Sequence, residues 1–231
     1  MRSAHITAGG ALLLMAVLGP FGYLVAVEGL VTPGDAARTA ADVTASAGLF
    51  RLGIVAMFGV VALDVVVAWA LYRVFLPVSG GLAALAAAFR LVYAGVYLVA
   101  ISHLVGVLGL LASEDQHVAL GTEQVHAQAL LRIEAFADVF SAGLLLFGLH
   151  LLLIGHLAYR SGFAPRWLGV LLTVAGLGYL FDSVAGVLSG GAVPEIAGFT
   201  FVGELVLAVW LLAKAFTIPT PAHLVENGAT R

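Results

Sequence analysis

Apolar residues gather along this chain into six long stretches separated by short polar ones. The stretches run Ala8–Val27, Ala47–Leu71, Leu82–Leu111, Ala129–Tyr159, Trp167–Leu188 and Glu195–Phe216. Each meets the requirement of roughly 20 residues for a helix crossing a hydrocarbon core of about 30 Å. The polar interruptions read as loops. Glu28–Thr44 contains Pro33, Gly34 and Asp35 and predicts a loop with a short surface helix starting near Asp35. Tyr72–Gly81 is a tight turn, Ser113–Gln128 a polar loop without Lys or Arg, and Arg160–Arg166 a short basic turn. Ser189–Pro194 is a glycine-containing turn, and residues 217–231, with two prolines, read as a disordered cytoplasmic tail. The pattern predicts an all-α fold: one transmembrane helical domain over residues 1–216, built as a polytopic bundle of six spans. A cleaved leader shares the apolar start. The weak positive charge before Ala8 and the want of a small-x-small cleavage site favour a retained first helix.

Composition strengthens the membrane reading. The 231 residues are 62% hydrophobic and only 10% charged, with mean hydropathy +1.10. Soluble domains carry about 25% charged residues, a gap too wide for a buried core to explain. There is no cysteine, which excludes a disulfide framework, thiolate metal sites and a cysteine nucleophile. The net charge of −3 is spread out, and no basic block suits nucleic acid. Basic residues in short loops set orientation. With the N-terminus inside, the inner face holds Arg2, Arg73, Arg160, Arg166, Lys214 and Arg231, and the outer loops hold only Arg38. Both termini are therefore expected in the cytoplasm.

One block has a recognisable character. Phe147–Ser183 contains the Arg160-Ser-Gly turn, Pro165-Arg166-Trp167-Leu168-Gly169 and Asp182, and Gly203-Glu204-Leu205 follows. These segments resemble a bacterial membrane-protein family catalogued as domain of unknown function 4386, whose members look like this over nearly their whole length; the first two spans match it only as generic apolar sequence. It implies a six- or seven-helix bundle in a bacterial inner (plasma) membrane, and it supplies no reaction, ligand or catalytic residue.

Charges inside the spans carry the functional signal. Arg51, Asp64, Arg90, Arg132, Glu134, Asp138, Asp182 and Glu204 all fall within apolar stretches. At a helix centre each costs roughly 2.5–3.5 kcal/mol on insertion scales, so they should face protein or water and find partners. Asp64 and Arg90 sit deep on consecutive antiparallel spans and predict a structural ion pair. Counting along the spans places the other six in the outer half. Glu134 and Asp138, four apart, share one helix face. With Asp182 and Glu204 they predict a carboxylate-rich ligand- or proton-binding pocket, with Arg51 as counter-ion. Arg132 lies about 200° around the helix from Glu134 and is expected to snorkel to headgroups.

Other chemistry is thinly represented. His103, Asp115, His117 and His126 gather near the outer end of the third span, and His150 and His156 lie in the inner half of the fourth. None has a metal-site spacing such as HExxH, so neither metal nor cofactor is expected. No nucleophile elbow or phosphate loop occurs. Tyr93, Tyr97 and Tyr179 read as packing or interfacial residues. The chain thus reads as a protein of the lipid bilayer that binds or transports a small solute, a cation or a proton. The alternatives are an intramembrane enzyme acting on a lipid-like substrate and an accessory subunit whose ion pairs lock helices together.

Overall fold

In a bilayer every backbone polar group must be satisfied within the protein, and a chain this apolar meets that demand by forming helices. A computed structural model describes residues 2–189 and 202–217, and all regular structure among them is helical. The elements are α1 (Arg2–Pro20), α2 (Ala36–Ala45), α3 (Ala47–Phe75), α4 (Gly80–Ala112), α5 (Glu114–Leu120), α6 (Thr122–Arg160), α7 (Arg166–Ser189) and α8 (Val202–Thr217). Among the described residues five segments are long and apolar enough to cross a membrane: Arg2–Leu30, α3, α4, α6 and α7. Helix α8 contributes 16 described residues, about 24 Å at 1.5 Å per residue. The start of the sixth expected span, the turn before it and most of the C-terminal tail lie outside the described residues.

The helix ends follow local chemistry. Asp35 caps α2, its side chain accepting from the Arg38 amide at 2.9 Å. Ser113 caps α5 in the same way, accepting from the Gln116 amide at 3.3 Å. With Glu114 and Asp115 in the first turn, that cap makes a helix where the polar pattern alone suggests a loop. Gly121, at φ +82°, ends α5 and turns the chain into α6. Helix α6 therefore begins at Thr122, ahead of its apolar stretch.

Pro20 closes α1 because it has no N–H to give the preceding turn. The next five residues, Phe21–Val25, wind as a π-helix, with Ala26 N–H donating to the Phe21 carbonyl at 3.1 Å. The wider turn keeps the backbone hydrogen-bonded past the proline, with Val27 N–H donating to the Tyr23 carbonyl at 3.3 Å.

Six helices pack as a closed circle. Helix α1 lies against α3, α3 against α4, α4 against α6, α6 against α7, α7 against α8, and α8 against α1. The α6–α7 contact is the tightest. A Cβ placed on Gly148 would lie 2.8 Å from the Gly176 carbonyl, and one on Gly155 would lie 2.8 Å from that of Gly169. Small residues let the two backbones touch, which is how helices associate where lipid competes equally for apolar surface. Apolar side chains such as Trp69, Val92, Val99, Val170 and Val174 face outward, as lipid contact requires.

Gly155→Ala should therefore push α6 and α7 apart and destabilise the fold by about 1–3 kcal/mol, the usual cost of overpacking. Gly95→Ala, in open space on the outer surface of α4, should change stability by no more than about 1 kcal/mol. Thermal unfolding in detergent is expected to separate the two; equal midpoints would contradict the close backbone contact.

Candidate functional site

Four of the helices in the circle each bring a polar residue from an otherwise apolar stripe to one place. On α3 the stripe is Met57, Val60, Asp64, Val67 and Leu71. On α4 it is Ala83, Ala86, Arg90, Tyr93, Tyr97 and Leu104. On α6 it includes Phe147, His150, Leu151 and Ile154, and on α8 Glu204 follows the buried Gly203. Spacings of three and four residues keep each set on one face. Asp64, Arg90 and His150 also match in depth. Each lies about 15 Å along its helix from the Phe75, Gly80 or Arg160 end at 1.5 Å per residue. All three helix ends adjoin short turns, so the residues meet at one level near the middle of a 30 Å layer.

Arg90 is the centre, with its side chain 1% exposed. Its Nε donates to Asp64 Oδ1 at 2.8 Å, and Nη2 reaches the same oxygen at 2.7 Å. Nη1 lies 3.2 Å from His150 Nε2 and 3.4 Å from Glu204 Oε1. Nη2 also points to Met15 Sδ on α1 at 3.9 Å. The Phe147 ring lies 5.2 Å from the guanidinium carbon, within cation–π range. These contacts use every donor the guanidinium has.

The His150 tautomer follows from its partners. Nδ1 is 2.8 Å from the Ala86 carbonyl, which can only accept. Nδ1 therefore carries the hydrogen, and Nε2 presents its lone pair to Arg90. Asp64 is fully buried; its Oδ1 serves Arg90, and its Oδ2 has no hydrogen-bond partner among the described residues.

Beside this cluster, in the lumen of the helix circle, lies a cavity of about 240 Å³. All six helices line it, with Asp64 and Glu204 at its polar corner. Its walls follow α1 from Leu12 through Gly19 to Pro20, then the π-helical Tyr23 and Leu24. On α6 they follow Phe147, Leu144 and Phe140. Tyr93, Tyr97 and Tyr179 complete an aromatic lining. Phe147 sits 4.8 Å from Tyr93 and 5.4 Å from Tyr179, centroid to centroid. The cavity runs from the mid-level charges toward the end of the bundle that carries α2 and α5.

The acids expected in an outer pocket fall in several places. Glu204 sits on Arg90, at the level of Asp64. Glu134 and Asp138 are exposed on α6, and Arg51 is exposed near the start of α3. Helix α6 is 39 residues long, about 58 Å, and overshoots a 30 Å layer. Measured from Arg160, Asp138 stands about 33 Å up and Glu134 about 39 Å, at or beyond the far boundary of such a layer. Asp182 on α7 is half-buried. Its neighbour Ser183 donates to the Ser141 carbonyl at 3.0 Å, tying α7 to α6. Arg132 lies against Gly106 of α4. His117 and His126 meet edge to face at 6.3 Å, and no three metal-binding side chains converge among the described residues.

Pattern reading passed over His150, Met15 and the tyrosines as site residues. Counting helix positions from the turns would have found His150, since it shares the depth of Asp64 and Arg90.

Comparison with known proteins adds a family and a relative. A family model described as "Domain of unknown function (DUF4386)" matches residues 7–215. A chain from the archaeon Archaeoglobus fulgidus, described as an uncharacterized protein, is 36% identical over 161 residues, covering 70% of this chain and 82% of that one. No solved structure matches.

Arg90→Met should leave two carboxylates facing each other without a counter-charge and lower stability by about 3–5 kcal/mol, or prevent accumulation of folded protein. Asp138→Asn, on the exposed face of α6, should stay within about 0.5 kcal/mol. Unfolding midpoints of the two variants check this; equal values would mean that Arg90 is not the centre of the bundle.

Proposed function

The chain belongs to the DUF4386 family of membrane proteins, and from the site it carries we propose an intramembrane protein that binds or transports a small solute. The observation behind this reading is the cavity. A lumen of about 240 Å³, mostly apolar and aromatic, ends on two carboxylates held by one arginine. Apolar pockets with a few convergent polar groups are the usual form of small-molecule sites. Ionisable residues inside a membrane are expensive, and substrate paths and proton relays are among the roles that keep them there.

In this reading Asp64 and Glu204 are the ligand- or proton-binding acids, and Arg90 sets their positions. Glu134, Asp138 and Asp182 lie toward the end to which the cavity extends. There they form an acidic entrance that concentrates cations, with Arg51 at its edge. The entrance faces outward if basic loops lie inside: Arg73 and the Arg160–Arg166 turn then mark the cytoplasmic face of a six-span protein. Pro20 and the π-helical turn place an adjustable piece of α1 along the lumen.

The complete satisfaction of Arg90 favours a second reading, an ion-pair lock with no ligand. Two experiments separate them. Protein purified without added ligand should carry a small molecule detectable by mass spectrometry. Gly19→Leu should reduce it, because Gly19 lines the cavity and has open space at its Cβ. No bound solute, or equal amounts in both proteins, would favour the lock. For orientation, the absence of native cysteine allows single-site labelling. Val118→Cys in α5 should react with an impermeant maleimide on intact cells, and Ser161→Cys only after permeabilisation. The opposite pattern would reverse the topology.

A further inference from the structure

The cavity itself narrows the chemistry of its occupant, an argument that rests on the solute-binding reading above. Its walls are hydrocarbon and aromatic rings, which disfavours a sugar, a polyol or any solute with many polar groups. Its charged corner has two carboxylates and one guanidinium. The guanidinium donors are already engaged by Asp64, Glu204, His150 and Met15, so an anion would find no free donor there. What the corner offers is an acceptor: Asp64 Oδ2, fully buried and without a hydrogen-bond partner among the described residues, on a residue that lines the cavity. A buried carboxylate oxygen in this state is costly and takes a donor when one is supplied. An inorganic cation such as calcium or magnesium asks for about six oxygen ligands, and these largely carbon walls do not surround it with them. An organic ammonium needs one carboxylate and an aromatic surround, and both are present.

We propose that the cavity binds a protonated primary or secondary amine on a compact apolar or aromatic body. Its N–H donates to Asp64 Oδ2, and its carbon body lies among Tyr93, Tyr97, Phe147 and Tyr179. An apolar cavity of about 150 Å³ holds a benzene molecule, so a volume of 240 Å³ suits a molecule on the order of ten non-hydrogen atoms. The orphaned oxygen makes the sharper distinction. A quaternary ammonium has the same charge and the same attraction to aromatic faces but no N–H, so it leaves Oδ2 unsatisfied. A neutral alcohol of the same shape supplies a donor without the charge.

The test uses the full chain in lipid nanodiscs and three matched probes: 2-phenylethylamine, its N,N,N-trimethyl analogue and 2-phenylethanol. Binding is read by calorimetry and by the shift in thermal midpoint. The amine should bind at least tenfold more tightly than either analogue. Asp64→Asn should abolish that preference, and Gly19→Leu, which leaves the charged corner intact, should block all three. Equal affinity for the three probes in the wild-type protein would overturn the amine assignment and leave the cavity as a general apolar site. Binding of none, or binding that Gly19→Leu does not change, would also overturn it. In either of those cases the mass spectrometry of co-purified solute decides separately whether the cavity is a binding site at all. If Asp64→Asn does not fold, the preference for amine over trimethylammonium in the wild-type protein decides the assignment alone.

Discussion

A guanidinium in the middle of a hydrocarbon layer must be solvated by the protein around it. Arg90 cannot shed its charge, and a side chain 1% exposed receives nothing from water. The rest of the bundle answers that demand. Asp64 comes from the helix before it in sequence, His150 from α6, Glu204 from α8 and a thioether from α1. The apolar stripes that bring these groups together are the same stripes that pack the helices. Satisfying the charge and closing the circle of helices are therefore one event, although the net gain over an all-apolar core is small by the usual accounting of buried ion pairs. Such groups serve better to specify one arrangement: a helix turned by one residue, about 100°, would move its polar group off the arginine.

The same circle explains why there is a cavity. Beyond Met15, the α1 residues that line the cavity are Ala16, Gly19 and then Pro20, which fill little of it. The π-helical turn rotates Tyr23 into contact with Phe136 and Phe140, at centroid distances of 5.9 and 5.8 Å. The lumen is left open between that turn and the tyrosines of α4. The tight α6–α7 seam does the opposite on the other side, where glycine pairs bring backbones into contact and leave no room. One half of the bundle is closed by small residues that pack, the other kept open by small residues that do not.

Much of this was legible in the sequence. The apolar runs gave the long helices, and the opposed charges of Asp64 and Arg90 on neighbouring spans gave their pairing, because antiparallel neighbours with a short turn put equal depths side by side. Glu204 was harder. Its depth was counted from an assumed outer start of the last span, at residues the structure does not describe, and that count put it with the wrong neighbours along the bundle axis. Glu134, Asp138 and Arg51 fell inside apolar stretches and so read as intramembrane, yet α6 is too long for all of it to be immersed. Hydropathy marks where apolar residues lie and says little about where a helix passes through the boundary. His150 carried no motif; only its register against two other helices singles it out, and register is a property of three dimensions.

The connection between Asp64 and Arg90 has a consequence for how the chain is made. The two residues are 26 apart, and a ribosome adding about 5–20 residues per second separates their emergence by roughly 1–5 s. Glu204 follows Arg90 by 114 residues, roughly 6–23 s later. The hairpin of α3 and α4 can thus enter the bilayer with its opposite charges already paired, sparing the insertion machinery two bare ions. The second carboxylate arrives only after Met15, Asp64, Arg90 and His150 have been made, so α8 is received by a finished electrostatic socket.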